Sequence, residues 1–84
     1  MSRYFFDVTD GKNIVDFMGL DLSDLDAVRA HAIGLSSALL NSHSPKFWRG
    51  EEWLIEAKDD IGVVIFTLAF RASETPVVRQ VARA

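Results

Sequence analysis

Val63-Val64-Ile65-Phe66-Thr67-Leu68-Ala69-Phe70 is apolar at every position but Thr67. A strand with one face in water alternates apolar and polar residues, so this run predicts a strand covered on both faces. Its length and its β-branched and aromatic content separate it from a helix, and Asp59-Asp60-Ile61-Gly62 before it has turn chemistry. A chain of 84 residues has room for one long helix over a sheet. The other face of this strand therefore needs cover from the chain's own tail or from another copy.

Working back across the turn, Glu52 to Lys58 alternates, with Trp53, Ile55 and Ala57 on one face and Leu54, Glu56 and Lys58 on the other. With the Val63 to Ala72 strand it makes a hairpin. A first hairpin opens the chain. Tyr4 to Thr9 is aromatic and β-branched, Asp10-Gly11-Lys12-Asn13 can take the positive φ of a hairpin turn, and Ile14 to Phe17 returns.

Between the hairpins, Ser23 with Asp26 three residues on has the pattern of a capping box, and Asp24 complements the helix dipole. Leu25, Val28, Ala32, Leu35 and Leu39 fall on one stripe, which predicts a helix from Asp24 to Asn41 packed on the sheet. Pro45 bars its continuation. Thr75-Pro76 resembles the start of a short C-terminal helix, with Val77, Val78, Val81 and Ala82 as its apolar stripe.

The expected fold is thus α+β: a two-layer ββαββ unit with a four-stranded, mainly antiparallel sheet under one long helix. Residues 1–84 make one domain, with 3–72 as its core and 73–84 as a tail or short helix. Matching the strands to the helix stripe places Tyr4, Phe6, Val8, Val15, Phe17, Trp53, Ile55, Val64, Phe66, Leu68 and Phe70 inside. Phe5, Leu54, Val63, Ile65 and Ala69 fall on the outer face. That distribution predicts strands one and four in the centre and strands two and three at the edges.

Composition narrows the function. No stretch of about 18 apolar residues is present to span a membrane, and the opening Met1-Ser2-Arg3-Tyr4-Phe5-Phe6-Asp7 has no signal-peptide pattern. The chain contains no cysteine, so disulfides and thiolate metal sites are excluded and a cytoplasmic setting is expected. A net charge of −3 argues against generic attraction to nucleic-acid backbones.

Two surfaces stand out for association. Burying Phe5, Leu54, Val63 and Ile65 is worth about 1.5–3 kcal/mol each, an amount comparable in total with the stability of a small domain. The outward side of the helix is built from Ala27, Ala30, Gly34, Ser37, Ala38 and Asn41. Small residues there permit another backbone to approach, and mid-helix Gly34 costs about 1 kcal/mol against alanine.

Chemistry-bearing groups are sparse. His31 sits at the edge of the stripe and His43 past the helix end, neither with partners at the spacing of a metal or catalytic site. Asp21, Asp24 and Asp26 lack the glycine and distal glutamate of a calcium loop, and capping accounts for them. No nucleophile, base and oxyanion donors assemble, so the expectation is a protein that is not an enzyme and uses no cofactor. Lys46-Phe47-Trp48-Arg49 interleaves basic and aromatic residues, which suits stacking on a nucleic acid or gripping an acidic ligand. The plainer reading is a plug in which Phe47 and Trp48 fold over the open end of the core.

Arg3-Tyr4-Phe5-Phe6-Asp7-Val8, the Asp10-Gly11 turn, Leu20-x-Leu22-x-x-Leu25-x-Ala27, and Trp53-x-Ile55-x-Ala57-x-Asp59 leading to Gly62 together resemble a family of short, uncharacterised bacterial proteins classed as a domain of unknown function. The resemblance spans roughly residues 3 to 72 and rests on aromatic, aliphatic and turn positions. It implies the fold unit and no activity.

The functional expectation is a self-association or protein-interaction module, first of all a homodimer. Its interface would use the sheet face of Phe5, Leu54, Val63 and Ile65, the helix face of Ala30, Gly34 and Ser37, or the tail from Thr75. Lys46, Trp48 and Arg49 form the candidate ligand loop. The alternative is a regulatory nucleic-acid-binding partner like the antitoxins that share small ββαββ-like domains, an analogy at the level of fold.

Overall fold

A computed structural model describes residues 1–50 and 52–75. The elements run β1 (Ser2–Thr9), β2 (Asn13–Ile14), β3 (Leu20–Leu22), α1 (Leu25–Ser42), α2 (Ser44–Phe47), β4 (Trp53–Lys58) and β5 (Val64–Phe70). The fold is α+β, an antiparallel sheet with one long helix on one face, and the sheet has five strands where four were expected. The predicted C-terminal helix lies outside the described residues.

The fifth strand comes from a split. Ile14 to Phe17 was expected to return along β1, but only Asn13–Ile14 pairs, with Ile14 opposite Val8. The chain then leaves the ladder and rejoins it as β3, with Leu20 opposite Tyr4 and Leu22 opposite Ser2. Val15 and Phe17, expected in the core, are exposed, Phe17 at 86%. Asp16 is the physical reason. Its carboxylate accepts the Phe6 N–H at 3.1 Å, in the gap where a strand carbonyl would have done so, and also the N–H groups of Met18 and Gly19 at 3.0 Å. The side chain thereby replaces a rung of backbone pairing.

Strand order is β2-β1-β4-β5, with β3 also on β1. β1 and β4 are therefore central and β5 is an edge, which corrects the expected order. Outward polar residues made β4 look like a margin, but Lys58 and Glu56 lie opposite Phe5 and Asp7 of β1, and the Lys58 ammonium pairs with the buried Asp7 carboxylate.

Phe6, Val8, Ile55 and Ala57 meet Val28 and Ala32 of α1 in the core, with Tyr4, Leu22, Leu35, Leu39, Phe66, Leu68 and Phe70 packed around them. The helix stripe is as expected except at Leu25, which is exposed. Its N-cap is Asp24, accepting the Ala27 N–H at 2.8 Å, rather than Ser23. Past Ser42 a single helical turn, α2, forms with Pro45 in its first positions, where the missing N–H is harmless.

β5 pairs with β4 from Trp53 opposite Phe70 to Ala57 opposite Phe66, and then Lys58 meets Val64. Ile65 is thus one extra residue, a bulge, and alternation slips by one beyond it. Val64, expected inside, lies opposite outward-facing Lys58, and Ile65 lines a groove at this edge with Leu25, Arg29 and Ile33 of α1.

Candidate interaction surface

The sheet has two unlike margins. On the β2/β3 side, residues 15–19 fold back onto the outer face. Gly19 has φ +69°, and a Cβ at that position would lie 2.8 Å from both the Arg3 side chain and the Phe5 ring. Phe5 is half-buried as a result. Arg3 pairs with Asp21 at 3.3 Å and donates to the Met18 carbonyl. Asp7 accepts the Asp16 N–H at 3.0 Å with one oxygen and holds Lys58 with the other.

These ionic groups shift in opposite senses. Burial raises the Asp16 pKa, but hydrogen bonds from the Gly19, Phe6 and Met18 N–H groups, with help from His31, outweigh it and hold the carboxyl below its ordinary value. The hydrogen bond to Asp7 raises the Lys58 pKa above that of a free lysine, against a smaller effect of desolvation.

The other margin is bare. Among the described residues β5 has β4 on one side and no strand on the other. From Ile61 to Phe70 the chain carries no charge and no proline, two of the devices that guard edge strands; the bulge at Ile65 is a third, and it is present. Val63, Val64 and Ile65 are exposed, at 53%, 43% and 36%. Leu25, Arg29 and Ile33, at one-turn spacing on α1, overhang this edge and enclose with Ile65–Leu68 an open groove of about 520 Å³. Ile33 was missed in the sequence, although an isoleucine off the core stripe on an otherwise small-residue side was a visible signal. The groove's one charge, Arg29, is met by Asp26 at 3.1 Å.

The expected association residues are thus dispersed. Phe5 and half-buried Leu54 lie on the outer face, Val63 precedes β5, and Ile65 joins the groove. Ala30, Gly34 and Ser37 are exposed on a face of α1 adjoining the groove side, with nothing within 4 Å of a Cβ built on Gly34.

At the far end of the core, Phe47 of α2 packs edge-on against buried Trp53, centroids 5.2 Å apart, and His43 approaches the same ring at 6.2 Å. Phe47 is half of the expected plug. Trp48 and Arg49 remain exposed, while Lys46 reaches to 3.9 Å from the buried Asp10 carboxylate. Asp10 Oδ1 and Trp53 Nε1 are buried with no hydrogen-bond partner. His31 stacks tilted on Phe6 at 4.7 Å, as a histidine at the core boundary. Among the described residues no group of three or more His, Asp or Glu side chains is placed to hold a metal ion, and no helix is long and apolar enough to cross a membrane.

Fold and surface define a small α+β domain in which, among the described residues, one sheet margin is folded over and the other carries no further strand. The chain belongs to the family described as Domain of unknown function (DUF6894), whose sequence model matches residues 3–71. No curated protein and no solved structure matches it.

Proposed function

We propose that this protein is a small, non-enzymatic association module that works as a homodimer, in a bacterial cytoplasm that its cysteine-free composition suits. The observation that carries this reading is β5: a seven-residue strand without charge or proline, with no further strand beside it among the described residues, next to an apolar groove, in a domain whose single small core supplies only a few kcal/mol of net stability. Covering that edge removes apolar surface from water and pairs its free backbone groups. Light scattering on a sizing column at micromolar concentration tests it. The expected mass is twice 9.4 kDa, and a monodisperse species at 9.4 kDa overturns the proposal.

A further inference from the structure

We infer that two copies join by antiparallel pairing of β5 with the partner's β5, about a dyad at Thr67, which fuses the two sheets into one and closes the two grooves against each other. This rests on the association reading above and specifies its geometry.

The register follows from three constraints. First, Phe66, Leu68 and Phe70 face the helix while Thr67 and Ala69 face away. Keeping both helices on the same side of a joint sheet requires residues of like facing to lie opposite one another, so the dyad passes through a residue pair and not between residues. Second, the midpoint of β5 (Val64–Phe70) is Thr67, and a dyad there puts Thr67 opposite Thr67 and Phe66 opposite Leu68, like-facing pairs on the regular side of the bulge. Third, the charges flanking the strand favour antiparallel over parallel pairing. The acidic turn Asp59-Asp60 precedes β5, and Arg71 and Glu74 follow it. Parallel pairing stacks the two acidic turns on each other and Arg71 on Arg71, whereas antiparallel pairing separates the two turns and sets Arg71 opposite the partner's Val63, three residues from Asp60.

The same arrangement covers the exposed apolar residues of the groove. A partner strand at the β5 edge lies beneath the overhang of Leu25 and Ile33, and the partner's helix closes the groove's open side. Arg29 already has Asp26 as its counter-ion. The strand is uncharged and its edge is bulged only near Ile65, leaving Phe66 to Phe70 regular.

Thr67 makes the register directly testable, because it is exposed and lies opposite Glu56 of its own β4. At the dyad, two Cα atoms come within about 4.5–5.5 Å, inside the range a disulfide bridges. In a chain without cysteine, T67C is expected to form a covalent dimer on mild oxidation. A69C, four residues out of register with its mate and about 13 Å away, is not. T67K gains an intrachain partner in Glu56 but places two ammonium groups face to face across the dyad, so it is expected to weaken dimerisation at least about tenfold with an unchanged circular dichroism spectrum. A wild-type dimer in which T67C fails to bridge and T67K dimerises normally overturns the inference and leaves the association reading standing. A wild-type monomer overturns both.

Discussion

Asp16 shows how one side chain can alter a topology. Three backbone N–H groups converge on its carboxylate, and its own N–H goes to Asp7. D16A strips acceptors from all three, and a loss of about 2 kcal/mol in urea unfolding is expected. Because its folded pKa is below the unfolded value, Asp16 contributes stability that is complete above about pH 4 and is lost as pH falls through the folded pKa. Wild-type stability should therefore decline from about pH 5 towards pH 2, and D16N should flatten part of that decline. Lys58 carries the reverse sign. Its pKa is raised, so its contribution is complete below about pH 10 and is lost as pH rises through the folded value. K58M removes that alkaline loss and lowers Tm, because it leaves an Asp7 oxygen buried without its cation. Gly19 combines a left-handed φ with close neighbours, so G19A is expected to cost about 2 kcal/mol or more. None of this network was legible in the sequence, where Asp16 is one aspartate of several. A carboxylate standing in for a strand carbonyl is chosen by neighbours ten residues away, not by local pattern.

Among the elements, α1 and the β4-β5 hairpin were legible because periodicity reports burial directly. Val28, Ala32, Trp53, Ile55 and Ala57 are buried as their spacing requires. The position of β5 was not. A strand apolar on both faces looks the same in sequence whether a neighbouring strand or another molecule completes it, and the bulge at Ile65 set Val64, expected inside, opposite outward-facing Lys58. The two candidate association surfaces can be separated at this scale. G34A places a methyl in open space on α1 and is expected to stabilise the helix by about 1 kcal/mol in thermal or urea unfolding. With the β5 edge as interface, it leaves the dimer mass unchanged. Loss of the dimer in G34A would instead implicate the face of Ala30, Gly34 and Ser37.

For the whole molecule, the proposed dimer links association to folding. A homodimer that forms only from folded chains has a Tm that climbs with protein concentration, and a rise over a hundredfold concentration range is expected here. A concentration-independent Tm would contradict it. The broken margin on the far side of β1 adds a constraint of its own. Strands of two and three residues, interrupted by a folded-back loop, offer no continuous row of amides on which a further chain could build. In the proposed dimer, growth of the joint sheet is therefore blocked at both outer ends once the two β5 edges are paired. The stoichiometry of that dimer is thereby self-limiting: among the described residues it leaves no further strand margin from which a fibre could grow.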